Sequence, residues 1–512
     1  MQEIIKETDK PKKTRTIRRK EIMTISSNHL DTLVIEEDIV RRIGDIAGEL
    51  GYKIYAVGGY VRDHYLNRDR TDFDFTVIGD AITFAEELAK KLHSKAITYP
   101  RFRTAMVPYG NVKLEFVGTR KEVYLPNTRN PLIKEGTLED DIQRRDFTIN
   151  TLAVSLNKID YGKIIDMYNG KKDLQLKVIK TPLDAIKTFS DDPLRMMRAA
   201  RFAAQLDFKV DKSSIKAMKS MYERISIISQ ERITDEFLKI LATPKPSVGL
   251  QILFDTHVLK IIFPELDKLS GVEVVNENGT NYGHKDILQH SFQVLDNVAE
   301  VSNDLWLRFA ALIHDIAKPL VKKFIKGTGW SFHGHEEIGA RFVEKIFRRL
   351  KLPLEHIAQV ELLVRLHQRP MALVDEEVTD SAVRRLAFQA GEFLEDLFTL
   401  CQADITTNNP NLSEKYFQNY ENVKLKVIEV QEKDKLREFQ SPVRGEEIME
   451  ICKIPPSYSV GYIKSKIEQA ILDGIIHNEY EQAKAYFLKN KNTWLKESSN
   501  RNHTLDILEK EL

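Results

Sequence analysis

Apolar residues keep two different periods along this chain, and the change between them divides it. From about residue 30 to 170, short apolar runs alternate with amphipathic stretches. IYAVGG (54–59) and FDFTVIG (73–79) predict strands, and TAMVPYGNVKLEFVG (104–118) predicts a hairpin turning at Tyr109-Gly110-Asn111. AITFAEELAKKLH (81–93) has helical spacing, with Asp80 placed to cap its start and Glu86 and Glu87 in its early turns. Beyond about residue 170 nearly everything repeats every 3.6 residues, in runs reaching about 262, about 410 and the end. The pattern predicts an α+β chain, with a mixed α/β head followed by all-helical segments. Turn residues near Asp173, Pro264 and Asn411 divide it into 31–172, 173–263, 264–411 and 412–512.

Composition narrows the class. A length of 512 residues suits about three to four domains. Hydrophobic residues at 42% and charged residues at 30% describe an ordinary globular protein. A net charge of +1 leaves any nucleic-acid surface to local patches. One patch opens the chain: residues 1–30 include KPKKTRTIRRK, basic and without apolar period, which predicts a flexible arm. Two cysteines, Cys401 and Cys452, exclude a disulfide framework and fit a reducing compartment. With no run of 18 apolar residues and no signal-peptide core, the expectation is a soluble cytoplasmic protein without a membrane partner.

The second strand raises a chemical question, because it carries Asp72 and Asp74 among phenylalanines. On a strand, residues i and i+2 share a face and lie about 6.6 Å apart, at ~3.3 Å per residue. Two carboxylates that close repel unless a cation lies between them, and magnesium takes one or two carboxylates together with substrate phosphates. The alternative is an edge strand with a solvated acidic face. Upstream, Gly58 and Gly59 end a strand ahead of a helix. Backbone without Cβ approaches a ligand closely, and amides at a helix start bind phosphate oxygens. Arg62 adds a forked donor suited to phosphate. Strand, glycine turn, helix and acidic strand together suit nucleotidyl transfer. Glu115, in KLEFVG, reads equally as a third carboxylate or as an ordinary exposed strand residue.

GGYVRD (58–63) followed by DFDF (72–75) resembles the head of the class II tRNA nucleotidyltransferase and bacterial poly(A) polymerase family, of the polymerase β superfamily. RRDFTINTLAV (144–154) resembles its ribose-recognition motif, and DDPLRMMRAARFAAQLDF (191–208) its base-recognition motif. ERITDEFLKIL (231–241) resembles the short helical motif behind the latter, and KEVYLPNTRNP (121–131) the flexible loop before the ribose motif. The resemblance implies that Asp72 and Asp74 hold two magnesium ions and that Arg145 and Asp146 contact the ribose. It also implies that Asp191, Asp192, Arg195 and Arg198 belong to the nucleotide site, with Glu231, Arg232 and Glu236 supporting the base-reading helix. Asp192 is spaced as an N-cap with Pro193 at the first helical position, and Arg195 follows on the same face. That spacing allows an intrahelical ion pair. It equally allows an acceptor beside a donor, which matches cytosine and adenine and rejects uracil and guanine.

Seven of the 13 histidines fall between residues 284 and 367. His290, His314-Asp315, His335, His367 and Asp404 form a series that resembles the HD phosphohydrolase domain, which holds a divalent metal. By that resemblance His290, His314, Asp315 and Asp404 are the ligands, with His335 and His367 beside them. Imidazole with carboxylate suits manganese, nickel, iron or magnesium. The C-terminal helices resemble the tRNA-binding tail of the same family, where Arg444, Lys464, Lys466, Lys484 and Lys489 either contact phosphates or form a solvated face.

The sequence therefore predicts a head, helical neck, HD body and tail that add CCA to tRNA from CTP and ATP. A poly(A), A-only or CC-only enzyme stays open, although the loop at 121–131 argues against CC-only. A phosphohydrolase with an inactive head is the rival from another class. Monomer and homodimer are both compatible with the chain.

Overall fold

The computed structural model describes residues 32–69, 72–123, 132–277, 280–373, 380–407, 409–434 and 441–510. The basic arm, most of the loop at 121–131 and the side chain of Asp72 lie outside the described residues. The chain separates into two compact units, Met1–Thr119 with Leu152–Asp166, and Arg120–Thr151 with Met167–Leu512.

In the first unit, helix α1 (Asp38–Glu49) precedes strand β1 (Lys53–Val57), helix α2 (Gly59–Tyr65), strand β2 (Asp72–Ile78) and helix α3 (Ala81–Lys91). Strands β3 (Ile97–Tyr99), β4 (Thr104–Tyr109) and β5 (Val112–Gly118) follow. Strands β6 (Arg120–Val123) and β7 (Leu132–Glu135) pair with each other in the second unit, while β8 (Ala153–Ser155) and β9 (Ile164–Ile165) return to the first. The main sheet has the order β3-β4-β5-β2-β1-β8-β9, and its β2–β5 pair is parallel. The turn between β4 and β5 falls where Gly110 takes φ +56°, as the sequence predicts.

Alternation decides which face of this sheet is core. Phe73, Phe75 and Val77 of β2 are buried, as are Leu114 and Phe116 of β5. The Phe75 and Phe116 rings stack at 5.1 Å, and Phe84 of α3 meets Phe116 edge-on at 5.4 Å. Such aromatic pairs add about 0.5–1.5 kcal/mol each beyond the area they bury. Helix α3 starts where expected, with the Asp80 carboxylate accepting the Ile82 N–H at 3.0 Å. Asp74 and Glu115 consequently point away from this aromatic layer.

The second unit is mainly helical. It contains α4 (Leu138–Gln143), α5 (Gly170–Leu176), α6 (Ala185–Asp191), α7 (Leu194–Leu206), α8 (Lys212–Met221), α9 (Gln230–Leu241) and α10 (Pro246–Asp255). Gly249 of α10 lets three helices meet. A Cβ there would lie 2.9 Å from Ile240 Cγ2 on α9 and 3.1 Å from the Ala200 carbonyl oxygen on α7. The segments expected to be wholly helical also hold two short hairpins, Val274–Glu277 with Thr280–Gly283 and Lys323–Ile325 with Gly329–Ser331. Runs of three or four residues in helical surroundings carry too few positions to separate period 2 from period 3.6. A C-terminal cluster of Val443, Ile448, Ile463, Ile467, Phe487 and Trp494 closes the chain's last helices on one another.

Candidate active site and metal centre

In the first unit, β2 and β5 run parallel with Asp72 opposite Lys113 and Asp74 opposite Glu115. Paired positions of adjacent strands share a face, so Asp74 and Glu115 are carboxylate neighbours on the side away from the aromatic core. Asp74 is half-buried and Glu115 exposed. Neighbouring acids on one face of a sheet fit a divalent cation, which removes their repulsion. Beside β2, Gly58 takes φ +67° and ψ −124°, a backbone conformation open to glycine. Its N–H donates to the Leu152 carbonyl at 3.2 Å, so any phosphate would meet the amides from Gly59 onward. Arg62 is buried and grips Asp63 through Nε at 2.9 Å and Nη2 at 2.7 Å.

In the second unit the expected nucleotide residues cluster around α7. Asp146 is buried and accepts from the Phe147 N–H at 2.8 Å, from Asn150 Nδ2 at 2.9 Å and from Arg198 Nε at 2.8 Å. Burial pushes its carboxyl up, yet the Arg198 charge and the Asn150 hydrogen bond outweigh this and hold it at about 2. Arg145 donates to Asp141 at 3.2 Å, a fully buried acid that Arg144 also pairs with. Sequence reasoning passed over Asp141, whose only signal was a carboxylate three and four residues before two arginines.

The base motif departs from the spacing argument. Helix α7 begins at Leu194 with Pro193 before it, and Asp192 lies one position earlier than an N-cap. Its Oδ1 still accepts the Leu194 N–H at 3.2 Å, while Oδ2 pairs with Arg232 Nη2 at 3.0 Å. Arg195 is buried and donates to two main-chain carbonyls, Arg144 O at 2.5 Å and Thr188 O at 3.3 Å. The intrahelical Asp192–Arg195 pair does not form, because α6 ends at Asp191 and the chain turns before α7. Arg232 and Glu236 of α9 do hold this region, through Asp192 and Arg201. Glu231 instead pairs with Lys351.

Six side chains from five parts of the second unit converge on one point. His290 lies in the first turns of the helix Ile287–Val301, and His314-Asp315 follow the helix Leu305–Ile313. His335 opens the helix His335–Leu350, whereas His367 and Asp404 each follow a helix end. Asp404 Oδ1 lies 2.9 Å from His290 Nε2 and 3.6 Å from His314 Nε2. Asp315 lies 3.2 Å from His314 Nε2, 3.1 Å from His335 Nε2 and 3.8 Å from His367 Nε2.

Main-chain carbonyls aim three of these rings. The last carbonyls of the helices before His314 and His367 have no intrahelical partner and are free to take an imidazole N–H, while His335 uses a carbonyl of the turn ahead of its own helix. His314 Nδ1 lies 2.8 Å from Ala311 O, His335 Nδ1 2.8 Å from Phe332 O and His367 Nδ1 2.7 Å from Val364 O. A proton on each Nδ1 leaves the Nε2 lone pair directed inward, the arrangement metal-binding histidines use. Burial, then the neighbouring His314 charge, lowers His367 to about 4, which keeps it a neutral donor of electrons. His314 Nε2 and both Asp315 oxygens are buried without a hydrogen bond of acceptable geometry, although Lys318 Nζ lies 2.6 Å from Asp315 Oδ2. Orphaned atoms of this kind at one point fit a divalent cation. A cavity of about 380 Å³ adjoins them, lined by Lys285, Lys318, Phe332, Tyr416 and Tyr420 among others.

The five basic tail residues are less uniform. Lys484 pairs with Glu447 at 2.9 Å, Lys464 lies 3.8 Å from Glu468, and Lys466 sits over the Tyr462 ring.

Comparison with known proteins finds three family segments along the chain. Residues 54–180 match the Poly A polymerase head domain, 207–269 the probable RNA and SrmB-binding site of polymerase A, and 287–408 the HD domain. The A-adding tRNA nucleotidyltransferase of Geobacter sulfurreducens is 32% identical over 253 residues, 49% of this chain and 28% of that protein's length. The multifunctional CCA protein of Pseudomonas fluorescens is 33% identical over 312 residues, 59% of this chain and 71% of that protein. A crystal structure of a tRNA nucleotidyltransferase complexed with a primer tRNA and an incoming ATP analog is 26% identical, with TM-score 0.54 over 75% of this chain and 99% of that one. The Thermotoga maritima CCA-adding enzyme complexed with tRNA is 20% identical with TM-score 0.53, a likeness of fold alone. This chain is a nucleotidyltransferase and belongs to the tRNA nucleotidyltransferase and poly(A) polymerase family, in a form that carries an HD domain.

Proposed function

We propose that the chain adds or repairs the 3′-terminal CCA of tRNA from CTP and ATP, without a nucleic-acid template. The observation that carries this reading is the acidic strand: Asp72 and Asp74 on β2, with Glu115 opposite Asp74 on β5. Asp72 and Asp74 would hold two magnesium ions, with Glu115 as a third carboxylate. The ions supply charge neutralisation at the triphosphate and a lowered pKa at the tRNA 3′-hydroxyl. Gly59 and the amides after it would face the triphosphate. Asp146, ordered by Asn150 and Arg198, would hold the ribose hydroxyls together with Arg145. Asp191, Asp192 and Arg195 would read the base edge. For Arg195 this requires exchanging a main-chain carbonyl for the acceptor nitrogen of cytosine or adenine. The test uses tRNA ending at the discriminator base, with each NTP alone and all together, and sequences the products. CCA ends from CTP with ATP support the reading, and a long adenylate tract or no extension overturns it.

The HD cluster supports a second activity. His290, His314, Asp315 and Asp404 would hold a divalent metal of the manganese, nickel, iron or magnesium group, with His335 and His367 beside it. The metal supplies an activated water for a phosphoester. Lys285 and Lys318, which line the adjoining cavity, would neutralise the phosphate. Release of phosphate from nucleotide monoesters or cyclic phosphates, dependent on added metal and lost in His314→Ala, is the expected result.

A further inference from the structure

The four imidazoles of the HD cluster are not aimed alike. Three of them place Nδ1 on a main-chain carbonyl three residues earlier, a contact that no substitution of the partner residue removes. The fourth, His290, sits in the first turns of its helix, where amides rather than carbonyls are left over. Its Nδ1 instead lies 3.1 Å from the hydroxyl oxygen of Thr406, 116 residues away in sequence. Lys285 Nζ lies 3.2 Å from the same oxygen. An ammonium only donates, so Lys285 occupies one lone pair of Oγ1 and leaves the other for the ring N–H.

We infer that Thr406 is a positioning residue of the metal centre, which takes the Nδ1 proton of His290 and so turns the Nε2 lone pair toward Asp404 and the ion. The inference rests on the reading of the cluster as a metal site. Thr406 follows Asp404 by two residues, so one short segment supplies both a ligand and the group that aims a second ligand across from it. Without the hydroxyl, His290 is free to carry its proton on Nε2, where it donates to Asp404 at 2.9 Å and is closed to a metal. With it, His290 matches the three rings held by carbonyls. Lys285 lines the cavity and donates to the same Oγ1. A point change at Thr406 removes the acceptor while leaving every ligand in place.

The test titrates the full chain, stripped of metal by a chelator, with Mn²⁺ in a calorimeter. The His314→Ala variant identifies which part of the heat belongs to the HD cluster rather than to the acidic strand. Thr406→Val keeps the side-chain shape and is expected to weaken HD-site binding about 10- to 100-fold, the scale for removing a group that orients a metal-bound histidine. Thr406→Ser restores the hydroxyl and is expected to restore the wild-type dissociation constant, which a role in packing alone would not do. A Thr406→Val protein that binds as tightly as wild type overturns the inference, and so does a Thr406→Ser protein as weak as Thr406→Val. Wild-type protein with no heat beyond that of His314→Ala overturns the metal reading itself, and that outcome involves neither threonine variant.

Discussion

Asp146 shows how the ionisation of a single buried side chain couples to stability. Its carboxyl lies at about 2 in the fold, below the ordinary 3.8, since Arg198 and Asn150 outweigh the effect of burial. A depressed acid contributes stability that is complete above its unfolded value and is lost as pH falls through its folded value. The window here is therefore about pH 4 down to about 2, and the contribution is on the order of 2 kcal/mol. Urea unfolding at pH 5 and pH 2.5 should show wild type losing more across that window than Asp146→Asn, although the variant starts lower. A second expectation concerns Asp74, which stands beside Glu115 on the exposed face of the sheet. On the proposed role of Asp74 as a metal ligand, Asp74→Ala should abolish nucleotide addition and leave tRNA affinity near wild type. Near-normal turnover with magnesium, measured on tRNA lacking its 3′ end, would contradict that role. Arg195→Ala tests base selection: kcat/KM for CTP and ATP should fall relative to UTP and GTP by about 5- to 150-fold, or 1–3 kcal/mol. If all four values fall equally, the arginine serves only the carbonyls of Arg144 and Thr188 that it already holds.

At the scale of elements, the base-motif helix α7 depends on how closely its neighbours approach. Met196, Met197, Ala199, Ala200 and Ala203 are fully buried, and small residues there admit α9 and α10. Gly249→Ala would set a methyl 3.1 Å from a backbone oxygen of α7, which is not free to rotate away. The expected cost is about 1–3 kcal/mol, the range for overpacking a tight core, read as a lower denaturant midpoint. Glycine-to-alanine changes in an open helix are instead stabilising by about 0.5–1 kcal/mol, so the sign of the effect reports the packing.

For the molecule as a whole, two clusters of chemistry belong to separate compact units: the acidic strand lies in the first, the HD histidines in the second. His314→Ala should therefore remove HD-site metal binding while CCA addition continues. Loss of addition in a folded His314→Ala protein would show that the two sites depend on each other. Among the described residues no helix is long and apolar enough to cross a membrane.

Much of this was legible in the sequence, because period and spacing are local properties. Period 2 around Asp72 and Asp74, the Asp80 cap and the Gly110 turn each depend on a few adjacent residues, and each formed as expected. The ordered motifs carried the family, since they preserve side chains whose spacing the chemistry demands. What tertiary structure alone decided are the pairings between distant segments. Glu115 reads equally as a third carboxylate or as an ordinary strand residue in the sequence, and only register sets it opposite Asp74. Asp192 and Arg195 are spaced for each other, yet a turn between α6 and α7 gives Asp192 to Arg232 and Arg195 to carbonyls 7 and 51 residues away. Thr406 carried no motif of its own, and packing alone brings it within about 3 Å of His290, 116 residues away. Hydrogen bonds act over that distance alone, and sequence separation says nothing about it once the chain has folded back on itself.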